Sequence, residues 1–167
     1  MRVSIAFVLH LLSLGILTTT LLAGFILDRK LRKESDLRMK LYTAGMSRII
    51  GLLSPVAAAL LLATGIANIH NRFLGSTSAW YAEGWLVAKI ILYVVVVLNG
   101  TFYGPGLMRS RLKIIQSQAE QSAPMNADTL IRSLNKQITL FYAVQTLLFL
   151  LIVYLSVFGT AKHPGVI

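Results

Sequence analysis

Cysteine is absent from the 167 residues. That absence excludes disulfide staples, thiolate-held iron–sulfur clusters and dithiol redox chemistry, and it leaves histidine, methionine and carboxylate groups to hold any metal. Redox chemistry in this chain therefore needs a bound cofactor. Charge is scarce too: 13% of residues are charged against 56% hydrophobic, with a mean hydropathy of +0.71. A chain of this size with so little polar material is not a water-soluble domain. Acidic residues are the scarcest charges, six against sixteen Lys and Arg, for a net charge of +10.

What is present is apolar sequence in long runs. Four of them, at about 3–27, 48–69, 84–108 and 138–160, reach the roughly 20 residues that a helix needs to cross a bilayer at ~1.5 Å rise. Together they predict an all-α integral membrane protein, a four-helix up-down bundle, with 1–167 as a single domain. No polar stretch is long enough for a soluble domain. The longest, 109–137, is the length of a connector with a short helix. The first run is longer than a signal-peptide core and continues into Asp28-Arg29-Lys30-Leu31-Arg32-Lys33, so it is expected to be a retained helix. Small residues in the second run (Gly51, Ala57, Ala58, Ala59, Ala63, Gly65) suit close helix approach, and Pro55 predicts a kink there. The fourth run is a nearly pure lipid-type wall, apart from Gln145 and Thr146.

The basic residues are sorted by loop. Arg29, Lys30, Arg32, Lys33, Arg38, Lys40 and Arg48 lie between runs one and two, and Arg109, Arg111, Lys113, Arg132 and Lys136 between runs three and four. The other side carries Arg2, Arg72 and Lys162. Twelve against three is the asymmetry of membrane insertion, so the excess charge calls for no nucleic-acid partner; the partner is the lipid bilayer. It places the first and third loops in the cytoplasm and both termini outside. Trp80, Tyr81 and Trp85 then fall at the outer interface, where amphipathic rings are favoured.

Two ionisable residues remain inside the apolar runs, His10 in the first and Lys89 in the third. A charge at the bilayer centre costs roughly 2.5–3.5 kcal/mol on insertion scales, and such residues face a partner, a cavity or a ligand. Counted from the outer ends of their runs, both lie ~8–10 Å deep, at one level. His70 caps the outer end of the second run, and Glu83 at the start of the third offers an anion to Lys89 or Arg72. Each has a plain alternative. His10 is either a ligand or a hydrogen-bonded helix contact, and Lys89 either meets an anion or snorkels to the headgroups. His70 is either a second ligand or interfacial, His163 is solvated, and Asn99 and Gln145 hydrogen-bond across helices.

The run Phe7-Val8-Leu9-His10-Leu11, then Leu41-Tyr42, Thr64-Gly65-Ile66, Gly84-Trp85-Leu86-Val87-Ala88-Lys89-Ile90-Ile91-Leu92 and Leu134-Asn135 resembles the HemJ-type protoporphyrinogen oxidases. It is also similar to the membrane domain of copper-resistance D (CopD) proteins. The similarity runs over nearly the whole chain. It departs from the HemJ branch at Thr18-Thr19-Thr20, where those enzymes are rich in tryptophan, and the stretch from Asn99 to Arg111 with Gly104-Pro105-Gly106 is closer to the copper-resistance branch.

The resemblance implies a bacterial-type cytoplasmic (inner) membrane, haem b as cofactor, and His10 and Lys89 as the functional pair. His10 is then the axial ligand, Lys89 the partner of a propionate or porphyrinogen carboxylate and the candidate catalytic residue, and His70 a weaker second ligand. The implied function is a haem-b-binding membrane oxidoreductase or electron-transfer protein, with a porphyrin or quinone as partner and a homodimer or larger membrane complex compatible with the small bundle. The alternatives are copper handling through His10 and His70 with Met46 or Met108, and an accessory subunit without chemistry.

Overall fold

The computed structural model describes residues 5–73 and 80–161, without the side chains of 72, 160 and 161. Arg2, Lys162, His163 and the side chain of Arg72 lie outside the described residues. The described chain is helical from end to end: α1 (Ile5–Lys33), α2 (Leu37–Gly51), α3 (Leu53–Phe73), a 3-10 turn (Trp80–Ala82), α4 (Gly84–Leu98), a π-helical turn (Asn99–Tyr103), α5 (Gly104–Ala119) and α6 (Ala127–Ala161). With α2 and α3 taken as one helix and α4 and α5 as another, four helices are long and apolar enough to cross a membrane. Between 11 and 22% of the most apolar window of each is buried, so the bulk of the apolar surface faces outward, the reverse of a water-soluble fold.

Two prolines explain both interruptions. Pro55 has no N–H for the Gly51 carbonyl four residues back, and the hydrogen-bond ladder is disturbed at that turn: the Leu52 N–H is shared between the carbonyls of Arg48 (3.2 Å) and Ile49 (3.1 Å). Pro105 raises the same conflict with Thr101. The chain resolves it by widening to a π turn, in which the Gly104 N–H reaches the Asn99 carbonyl. Both prolines leave the long helices continuous.

The helices are longer than the apolar runs. The last three measure 35, 36 and 33 residues, or about 50 Å at ~1.5 Å per residue, against a hydrocarbon core of ~30 Å. The surplus lies at one end. The stretch 109–137, expected as a connector with a short helix, is instead the end of α5 and the start of α6 joined by residues 120–126. Asp36 starts α2 by accepting the Arg38 N–H at 3.0 Å.

α1 packs on α3 and α2, α4 on α6, and α5 on α6 and α2. Contacts between helices show that neighbours run up and down. His10 of α1 meets Thr64 of α3, and Trp85 of α4 meets Gly159 of α6, at the end where α1 starts and α6 finishes. At the opposite, basic end, Asp28, Arg111 and Asn135 join α1, α5 and α6. Between the ends Tyr93 donates to the Ala58 carbonyl, linking α4 to α3. Ile138, Phe141 and Tyr142 form the tightest apolar cluster, with Leu21, Leu107 and Met108 against it. Phe141 lies so close to Gly104 that a Cβ there would overlap its ring.

Candidate functional site

His10 sits on the second turn of α1, half-buried. Its Nδ1 lies 2.9 Å from the Oγ1 of Thr64, which is itself buried. The Thr64 hydroxyl has one proton, and it is directed back into α3, to the Leu60 carbonyl at 2.7 Å with the Leu61 carbonyl at 3.3 Å. A hydroxyl that donates there meets His10 as an acceptor, so Nδ1 carries the imidazole proton and the lone pair of the neutral ring is on Nε2. The chain Leu60 carbonyl, Thr64 hydroxyl, His10 ring therefore fixes both tautomer and orientation.

Gly65 lies beside the ring: a Cβ on it would be 3.7 Å from the His10 Cε1, in ordinary contact. The Thr64-Gly65 pair is thus one half of the seat and His10 the other.

Lys89 enters from α4. It is half-buried. The start of α4 is held against α6 by Trp85, whose indole covers Gly159 so closely that a Cβ there would come within 2.8 Å of the ring. The Trp85 Nε1 donates to the Glu83 carboxylate at 3.0 Å, so Glu83, expected as an anion for Lys89 or Arg72, orients the indole. Lys89 lies four residues after Trp85, on the same helix face one turn deeper. His10, Thr64 and Gly65 therefore gather from α1 and α3 near the end where α1 starts, and Lys89 stands on α4 at the same end of the bundle.

The remaining candidates are placed apart from this group. His70 is exposed, six residues beyond Thr64 on α3, ~9 Å further along the axis. Met108 packs in the Ile138 cluster at the basic half, and Met46 is 39% exposed on α2, ~27 Å along the α2–α3 axis from Thr64. Among the described residues, no three His, Cys, Asp or Glu side chains converge at metal-binding spacing. Asn99 and Gln145 do bond across helices: Asn99 Nδ2 donates to Gln145 Oε1 at 2.8 Å, and Gln145 Nε2 to the Val96 carbonyl at 3.1 Å.

Two features are not anticipated by the sequence reading. One is Thr64 as the residue that orients His10. The other is a buried ion cluster at the basic end. Asp28, 3% exposed, pairs with Arg111, 5% exposed, at 2.6 Å and with Arg32 at 2.6 Å, while Arg111 also donates to Asn135 Oδ1 at 2.9 Å. Arg32 and Arg111 read in sequence as loop charges. The available signal is Asp28 itself, the one acid at the head of a run that is otherwise basic. Comparison with protein-family models, with characterised proteins and with solved structures finds no match for this chain.

Proposed function

We propose that the chain is a haem-b-binding membrane redox protein, in which His10 would hold the iron through Nε2 and Lys89 would hold a carboxylate of the macrocycle or of a porphyrinogen substrate. One observation carries this reading: an imidazole inside an apolar helix has its Nδ1 proton held by a buried hydroxyl. Metal-binding histidines are oriented in this way, through a hydrogen bond on the nitrogen that does not bind the metal. The donor set also suits the group, since neutral imidazole ligates haem iron and an ammonium pairs with a propionate.

When bound, haem b supplies one-electron chemistry between ferric and ferrous iron. The residues of the chain do the rest. Thr64 keeps the Nδ1 proton in place, Gly65 leaves room beside the ring, and Lys89 supplies positive charge for a carboxylate. The resemblance to HemJ-type oxidases and copper-resistance D proteins supports the same pair of residues. The excess of basic charge at the opposite end supports a bacterial-type cytoplasmic membrane with both termini outside.

The test is the pigment. The full chain, expressed with ample haem and purified in detergent, is expected to show a Soret band that His10→Ala abolishes. A colourless wild type overturns the proposal.

A further inference from the structure

The buried cluster of Asp28, Arg111 and Asn135 defines one level across α1, α5 and α6. On the surface, the same level carries exposed cations. Arg29 and Lys30 follow Asp28, Arg109 stands two residues before Arg111, and Lys136 follows Asn135, all exposed. Arg48, also exposed, lines a groove together with Leu112, the neighbour of Arg111. Every long helix thus shows an exposed cation at the level where its apolar run ends. Asp28 is already engaged by Arg111 and Arg32, and none of these five cations takes part in an ion pair among the described residues.

The groove at Arg48 has a volume of about 420 Å³ and lies between α2 and α5. Arg48 and Leu112 form its apolar-side end, and Gln116 lines its middle. Glu120 lies at the other end, eight residues beyond Leu112 or ~12 Å along α5. Gly45 lines it as well, and a Cβ there would meet nothing within 4 Å. The groove is therefore open, and its cation is nearest the membrane.

We propose that this groove binds the headgroup of an anionic phospholipid, with the phosphodiester on Arg48 and headgroup hydroxyls directed to Gln116 and Glu120. The order of charge selects the occupant. A phosphodiester next to the acyl chains meets the guanidinium, and a hydroxyl-bearing headgroup that extends from it donates to the carboxylate. A second anionic centre at the far end would meet Glu120 and be repelled. The inference rests on the four helices crossing a bilayer and is independent of the haem proposal.

The experiment uses the full chain, delipidated in detergent, with phosphatidylglycerol and phosphatidylcholine added in equal amounts and bound lipid read by native mass spectrometry. Wild type is expected to retain phosphatidylglycerol in preference. Arg48→Gln should lower that retention about five-fold, the effect of one interfacial cation. Gly45→Leu, which fills the groove with the charge intact, should lower it likewise. Arg132→Gln, an exposed cation on α6 outside the groove, should leave it unchanged. Equal retention of the two lipids overturns the proposal, as do equal losses in Arg48→Gln and Arg132→Gln, which would mean diffuse attraction. Displacement of phosphatidylglycerol by millimolar inorganic phosphate also overturns it, in favour of a free-phosphate site.

Discussion

Asp28→Asn removes the one carboxylate that faces two guanidinium groups at the basic end. The N–O distances to Arg111 and Arg32 are both 2.6 Å, and Asp28 and Arg111 are almost fully buried. At charge separations of about 4 Å and an effective dielectric constant near 20, each attraction is worth about 4 kcal/mol. The asparagine keeps one acceptor, and Arg111 keeps Asn135, so the expected cost falls in the range of about 3–5 kcal/mol seen when a buried pair loses one partner. The assay is reversible unfolding in mixed micelles by SDS titration, followed by helical circular dichroism. Arg111→Leu should cost a similar amount, and the double variant Asp28→Leu with Arg111→Leu should cost at least 2 kcal/mol less than the two single effects added, because no charge is left unpaired. A single-variant cost of about 1 kcal/mol or less, the value of an exposed pair, would refute the cluster as a structural element. So would strict additivity.

Thr64→Val keeps the shape of the site but removes the acceptor for His10 Nδ1, and it is expected to weaken haem retention about 10- to 100-fold in a titration of the purified protein. Lys89→Met should shift the pH and salt dependence of haem binding while leaving the helix content by circular dichroism unchanged, since a carboxylate partner is lost and an apolar stem is kept. Gly104→Ala drives a methyl into the Phe141 ring and should destabilise the bundle by about 1–3 kcal/mol in the same SDS titration. Gln145→Leu leaves Asn99 and the Val96 carbonyl without their partner and should cost about 0.6–2 kcal/mol.

The helices are legible in sequence because uninterrupted apolar runs of bilayer length admit few other structures. Their ends at the basic side are not. Residues 37–47, 109–119 and 127–137 are polar enough to read as loops, yet they fold as helix because they continue helices already nucleated in the apolar runs, so each added residue gains a hydrogen bond without a new nucleus. Pro55 and Pro105 differ in the same way. A kink follows from the missing N–H in both cases, but the π turn before Pro105 is a local solution that composition does not select.

At the site, depth counting brings His10 and Lys89 to one end of the bundle. Rotation about each helix axis is what the count lacks: residues at one level share a depth without sharing a face. On α3 it is Thr64, a full turn and a half before the exposed His70, that touches the imidazole. The pairing of Asp28 with Arg111 and Asn135 is invisible for a related reason. It joins residues from three helices far apart in the chain, and twelve basic residues offer no means of telling which one turns inward.

The most direct test of the site is chemical rescue of its ligand. His10→Gly leaves a gap against Gly65 of imidazole size, and free imidazole can enter it. Wild type is expected to purify with a Soret band and dithionite-reduced α and β bands, His10→Gly to lose them, and added imidazole with haem to restore them. A wild type without pigment would contradict the haem proposal, and so would a His10→Gly variant whose spectrum is that of wild type without any imidazole.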